Sequence, residues 1–205
     1  MRRTVVISLF ALFLLASGSA SAQFYDKMFF VGWNVNTPLS NKDFAGKSST
    51  RGARFGYREL VAEKIAVGID LTWATYEDYE PRQTYYNQSG AITTDFNNYA
   101  NNYGVILTGD YYFYTEKKVM PYVGFGAGLA YNNYKVYYNV YQSGDNSFGF
   151  LARPQAGVWM KFNERRNWAF NAGVHVDFST AKSKDFGYKN FANVGFELGL
   201  VFLDW

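Results

Sequence analysis

Ile65-Ala66-Val67-Gly68-Ile69-Asp70-Leu71-Thr72-Trp73 alternates large apolar residues with small or polar ones without a break. Successive side chains of an extended strand point to opposite faces, so the odd-numbered residues form one wide greasy face and the even-numbered ones a narrow polar face. The greasy face needs an apolar neighbour. No amphipathic helix follows to supply one; the chain repeats the same two-residue rhythm instead.

The rhythm predicts eight strands, at residues 28–36, 53–60, 65–76, 103–114, 121–131, 148–162, 168–178 and 192–203. The expected greasy face includes Phe29, Val31 and Trp33 in the first and Phe55 and Tyr57 in the second. Val105, Leu107, Val123, Phe125, Val174, Phe196 and Leu200 carry it through the later strands. The opposite face collects Gly124, Gly126, Gly128, Gly157, Gly173 and Gly195 together with charged residues.

The connections alternate as regularly as the residues. Residues 61–64, 115–120 and 163–167 make short charged turns, whereas 37–52, 77–102, 132–147 and 179–190 are long. An all-β, eight-stranded antiparallel up-and-down barrel satisfies this order. In a soluble barrel of that size the apolar residues would point inward. Here the small residues belong in the tight lumen and the large Leu, Val and Phe belong against lipid, so the barrel is expected to be transmembrane. Short turns and long loops on opposite rims, with an even strand count, place both termini on the periplasmic side of a bacterial outer membrane. Trp73, Tyr76, Tyr111, Phe113, Tyr131 and Trp168 near strand ends are expected to form the interfacial aromatic girdles.

The N-terminus agrees with export. Arg2 and Arg3 precede an apolar run at residues 5–16, and Ala20-Ser21-Ala22 is a small-x-small cleavage site. The run is shorter than the roughly 17–25 residues of a membrane-spanning helix. Residues 1–22 are therefore expected to be a cleaved secretory signal peptide, and residues 23–205 a single barrel domain. Without Arg2 and Arg3 the formal net charge falls from +3 to +1, which argues against a nucleic-acid partner. The chain has no cysteine, so disulfides cannot support it, and one His without Cys makes no usual zinc set. No phosphate loop is present: the glycines at 124, 126 and 128 lie in a strand with no following helix. No cofactor is expected.

Pro121-Tyr122-Val123-Gly124-Phe125-Gly126-Ala127-Gly128-Leu129, the eight-strand rhythm and a closing strand over residues 194–202 resemble the small outer-membrane β-barrel family of the OmpX and OmpA-barrel type. The resemblance covers nearly all of the chain after residue 22. It implies insertion by the barrel-assembly machinery, which in this family reads an alternating last strand ending in an aromatic residue. Trp205 has the parity of Glu197 and Gly199, so either the last residues leave the strand or Phe202 serves as that aromatic.

The lumen phase collects Arg54, Arg58, Arg153 and Lys161 against Asp70, Asp110, Asp177 and Glu197, with Gln155 and His175 beside them. Charges withdrawn from water must pair. The set is expected to plug the lumen with cross-lumen ion pairs, the alternative being a narrow solute or ion pore. A general diffusion porin would need about 16–18 strands. A second alternative is a lipid A modifying enzyme using His175, since His175, Asp177 and Ser179 share one face. Residues two apart in a strand are about 7 Å apart, too far for a direct His–Asp bond. The expected role is therefore non-enzymatic, structural or surface-interactive. The expected partners are outer-membrane lipid and lipopolysaccharide, the latter met by Lys182, Lys184 and Lys189, together with an extracellular protein or surface ligand at the loops. The alternation Tyr131, Asn133, Lys135, Tyr137 suggests that two strands project past the membrane as a ribbon whose edge could take a partner strand.

Overall fold

The computed structural model describes residues 27–87, 90–115, 117–162 and 167–204. The expected signal peptide, the charged turn Glu164-Arg165-Arg166 and Trp205 lie outside them.

Eight strands follow one another: β1 (Lys27–Pro38), β2 (Gly52–Ala62), β3 (Ile65–Asn87), β4 (Gly90–Tyr112), β5 (Val119–Tyr138), β6 (Tyr141–Lys161), β7 (Trp168–Ser179) and β8 (Phe191–Asp204). Among the described residues a single short helix, α1 (Lys42–Ala45), sits in the connection from β1 to β2. Each strand pairs antiparallel with the next, and β1 pairs with β8 from Lys27↔Asp204 to Pro38↔Asn193, which closes the barrel. Closure removes the unpaired edges that an open sheet would leave in lipid.

The greasy face points outward. Phe55 is 56% exposed, Leu107 69% and Leu129 59%, amid a continuous band of Val, Ile, Leu and Phe. A soluble monomer rarely shows so large an apolar surface, and hydrocarbon is the solvent that suits it. Among the described residues no helix is long and apolar enough to span a membrane; the strands do so.

On the side of the long loops the band ends in an aromatic row. Trp73, Tyr103, Tyr131 and Phe148 are successive register partners across β3 to β6. One step further out lies a row of Thr75, Asn101, Asn133 and Asn146. Thr75 Oγ1 donates to Asn101 Oδ1 at 2.7 Å, Asn101 Nδ2 to Asn133 Oδ1 at 3.5 Å, and Asn133 Nδ2 to Asn146 Oδ1. This switch from rings to amides marks the boundary between membrane and water.

Two expectations need correction. Tyr76 belongs to no girdle: it is fully buried inside the barrel, because it lies three residues after the outward Trp73 and so takes the opposite face. Residues 77–102 form no irregular loop either, since β3 and β4 continue to Asn87 and from Gly90 as a ladder. The stretch is rich in Thr and Tyr, which favour strands, while its outer face meets water and its inner face buries small or polar residues such as Thr94, Asn98 and Ala100, so it shows no clean apolar stripe. With β5 and β6 it makes a four-stranded wall beyond the aromatic row, paired across as far as Asn97↔Tyr137 and Tyr138↔Tyr141.

Pro154 faces outward in β6. The β6–β7 register has pairs at Leu151 and Ala152 and resumes at Gln155, skipping 153–154, as expected for a residue with no N–H to give.

Inside, the barrel is layered. At the turn end Met28, Phe30, Leu60, Tyr112, Met120, Tyr122 and Trp159 form an apolar floor. At the loop end Phe44 of α1, Tyr76, Tyr134 and Phe191 form a second cluster, packed against Phe186 and Tyr188 of the β7–β8 connection. The lumen glycines make room for what crosses it. A Cβ on Gly56 would fall 1.9 Å from the Phe30 ring, and one on Gly124 would fall 1.7 Å from Asp110 Oδ1.

Candidate functional site

Between the two apolar layers all eight strands meet through side chains. Asp70 of β3 is the centre, with no exposed surface. Arg54 of β2 reaches its Oδ2 from Nε at 3.1 Å and Nη2 at 2.5 Å. Arg58, two pleat repeats along β2, reaches Oδ1 from Nη1 at 2.6 Å and Oδ2 from Nη2 at 3.0 Å. Arg58 Nε also donates to Asp110 of β4 at 2.5 Å, and Arg54 Nη1 donates to Glu197 of β8 at 3.1 Å. Gln155 of β6 joins the halves: its Oε1 accepts from Arg54 Nη2 at 2.7 Å and its Nε2 donates to Asp110 Oδ1 at 2.6 Å. Asn171 of β7 donates to Glu197 and accepts from the Tyr122 hydroxyl of β5 at 3.4 Å. β1 contributes Phe30, whose ring lies 4.8 Å from the Arg54 guanidinium carbon and 5.3 Å from that of Arg58.

This geometry follows from sequence locally. Arg54, Gly56 and Arg58 share the inward parity of β2, and the missing side chain at Gly56 is where Phe30 and Asp70 enter. Bidentate guanidinium–carboxylate forks suit such a dry space, because each planar donor set is answered by fixed acceptors.

A second group lies nearer the loops. Arg153 donates to Asp177 from Nε at 2.5 Å and Nη2 at 2.7 Å, across the gap that Pro154 leaves in the ladder. Asn193 Nδ2 donates to the same carboxylate at 3.4 Å. His175 Nε2 is 4.0 Å from Asp177 Oδ2, beyond hydrogen-bond reach, and neither of its ring nitrogens has a partner. Beside this pair is a cavity of about 30 Å³. Asn102 Oδ1, Asn132 Nδ2, Arg153 Nη1, both His175 nitrogens and Asn193 Oδ1 are buried without a partner, and all five residues line it. The space and the donors suit roughly two water molecules.

Of the residues picked out by parity, Arg54, Arg58, Asp70, Asp110, Gln155 and Glu197 come together in one web, and Arg153, His175 and Asp177 in the other group. Lys161 is buried at the turn end of β6, opposite Ala169. Asn171 and Asn193 have inward parity in the sequence but were not counted in the polar network, and Tyr122 and Phe30 were not assigned to the lumen. Their inward parity was the available signal, but neutral side chains in a strand do not announce a partner.

The loops close over the top. Phe44 packs edge-on against Tyr134 at 5.4 Å and at a tilt against Phe186 at 5.0 Å. Asn41 Nδ2 donates to the Asn190 carbonyl at 2.8 Å, tying the first connection to the last. Outside the membrane, Asp145 of β6 accepts from Ser183 Oγ at 2.7 Å and Lys184 N at 2.9 Å. The Ser183 hydroxyl above all, then the Asp185 and Lys184 amides, hold the Asp145 carboxyl below its ordinary range. Lys182, Lys184 and Lys189 are exposed on this last connection.

A closed antiparallel ring of eight strands, apolar outside and charged inside, is a transmembrane β-barrel. Solved structures place it more closely: the chain has the fold of the eight-stranded outer-membrane barrels. Ail, the attachment invasion locus protein of Yersinia pestis, is similar over 88% of this chain and 99% of its own, with a TM-score of 0.54 at 13% identity. The Ail complex with the heparin analogue sucrose octasulfate gives 0.53 at 14% identity over the same shares of the two chains. Neisserial surface protein A covers 88% of this chain and 97% of its own at 18% identity, with a TM-score of 0.47. No protein-family model and no curated sequence matches the chain.

Proposed function

We propose that this chain is an outer-membrane barrel, termini in the periplasm, that acts from its outer surface and not through its lumen. One observation carries the reading: side chains from all eight strands meet across the lumen in a buried web, with an apolar floor below and an aromatic lid above. Such a web opposes a solute path, because opening it would strand charges in a dry space. The narrow-pore reading therefore has no support in the geometry. Nor does lipid A chemistry at His175: the imidazole is buried, Asp177 is engaged by Arg153, and Ser179 Oγ accepts from the Ala181 amide at 3.2 Å.

What remains is the part beyond the membrane, where the barrel wall rises on β3 to β6 and two loops are tied across its mouth. Lipid and the barrel-assembly machinery are the partners such a fold requires, and a surface ligand is the partner that the wall and loops suit. Ail, of the same fold, has been crystallised with the heparin analogue sucrose octasulfate.

The native chain lacks cysteine, which makes orientation directly readable. Ser143→Cys at the loop-side ribbon should react with a membrane-impermeant maleimide on intact Gram-negative cells. Lys118→Cys in a turn should react only after permeabilisation. The opposite pattern would overturn the proposal.

A further inference from the structure

The outer face of β4 and β5, from the amide row outward, holds a cleft of about 460 Å³ lined by Asn97, Tyr99, Asn101, Lys135 and Tyr137. The Tyr99 and Tyr137 rings meet edge to face, with centroids 5.7 Å apart and planes at 84°. Tyr99 is fixed from behind: its hydroxyl donates to Glu77 Oε1 at 3.1 Å, and Glu77 is held by Arg51 Nη1 at 2.7 Å. Among the described residues Lys135 has no acid within ion-pair reach, whereas Lys47 and Arg51 at the same level are paired with Asp78 and Glu77.

We infer that this cleft binds a sugar ring of a glycolipid anchored in the surrounding outer leaflet. Three features select that occupant. Aromatic rings offer flat apolar faces to the C–H side of a pyranose, and amides beside them offer donors and acceptors to its hydroxyls. A single unpaired ammonium complements the phosphate or carboxylate groups that such headgroups carry. The third is position. In register the cleft begins one row above Tyr103 and Tyr131 and ends three rows above them. At about 7 Å per row of alternate residues it faces the layer from roughly 7 to 20 Å beyond the membrane boundary. Lipid-anchored sugars are concentrated there beside the wall, while a free glycan would more readily meet the ribbon tips. Because both rings sit on paired strands and not on loops, the cleft is pre-organised, and little ordering opposes binding.

The inference rests on the outer-membrane reading above. The test uses the refolded mature chain in phospholipid nanodiscs doped with lipopolysaccharide truncated to its inner core, or with lipid A carrying no core sugar. Native mass spectrometry counts the glycolipid retained. The wild type should keep the core-bearing lipid in preference to lipid A. Lys135→Ala with Tyr137→Ala should lower retention of the core-bearing lipid about tenfold and leave lipid A unchanged. Tyr79→Ala, at the same height but outside the cleft, should match the wild type. Equal retention of both lipids, or an unaltered double variant, overturns the inference. So does free core oligosaccharide that competes as well as the lipid-borne sugar, since the site would then serve a soluble glycan. A heat-shift gel on each variant shows that the barrel is folded. A chain with no heat shift would sink the barrel reading itself, whereas a folded barrel indifferent to core sugar sinks only this site.

Discussion

Arg54 and Arg58 both grip the carboxylate of Asp70, so one buried anion serves two cations on the adjacent strand. Each cation then reaches a second acid, Glu197 on β8 or Asp110 on β4, and the clamp spreads across the lumen. The arrangement makes Asp70 the residue whose loss exposes the most uncompensated charge.

Asp70→Ala should therefore destabilise the barrel by about 3–5 kcal/mol, the range for breaking a buried pair from one side. Replacing Arg54, Arg58, Asp70 and Asp110 together by apolar residues of similar volume should cost far less. Urea unfolding in lipid vesicles, followed by tryptophan fluorescence, separates the two cases. Equal midpoints for Asp70→Ala and wild type would show that the web carries no stability.

The glycines predict a sharp contrast between the faces. A Cβ on Gly124 would collide with Asp110 Oδ1 and sit 2.9 Å from the Gly109 carbonyl oxygen, whereas one on Gly109 meets nothing within 4 Å. Gly124→Ala should lose about 1–3 kcal/mol through overpacking, and Gly109→Ala should be neutral or nearly so. Heat-shift temperatures of the two variants decide this; a Gly109 variant as weak as the Gly124 variant would reverse the assignment of faces.

Trp159 anchors the floor, packed against Phe30, Tyr112 and Tyr122 at centroid distances of 6.2, 5.3 and 5.9 Å. Trp159→Ala should cost about 3–5 kcal/mol, as for other large-to-small changes in a packed core. The same urea titration reads it. A loss below 1 kcal/mol would mean that the floor is loosely packed.

The last connection should be released by acid. Asp145 titrates lower when clasping Ser183 and the following amides than when free. A depressed folded value means that the clasp is fully stabilising above the ordinary carboxylate range and is lost as pH falls through the lowered value. Amide shifts of Lys184 and Asp185 should move over that acidic window in the wild type and stay flat in Asp145→Asn. Movement of the same size in both proteins would assign the transition elsewhere.

Parity alone was enough to place Arg54, Asp70, Asp110 and Glu197 on one face and Phe55, Leu107 and Phe125 on the other, because lipid and lumen demand opposite chemistry at every second residue. Which lumen charges meet was not legible. That depends on how far each strand is offset around the closed ring, and no local pattern encodes the offset that brings Gln155 between Arg54 and Asp110. The ribbon of β3 and β4 was hidden for a different reason. Past Trp73 the outer face leaves lipid for water, and the inner face is buried only in part under the lid, so Tyr79, Thr84 and Thr93 keep the strand geometry without the apolar stripe that betrays it. Tyr122 and Trp159 were hidden by their chemistry: a ring that fills a floor reads in sequence like any other strand former.

The claim that the lumen is closed is most directly tested by single-channel recording from the refolded mature chain, inserted into a planar bilayer after a heat-shift gel shows it folded. The web, floor and lid predict silent traces across the voltage range. Discrete, reproducible steps from the wild-type protein would contradict a closed barrel and return the lumen to the centre of its function.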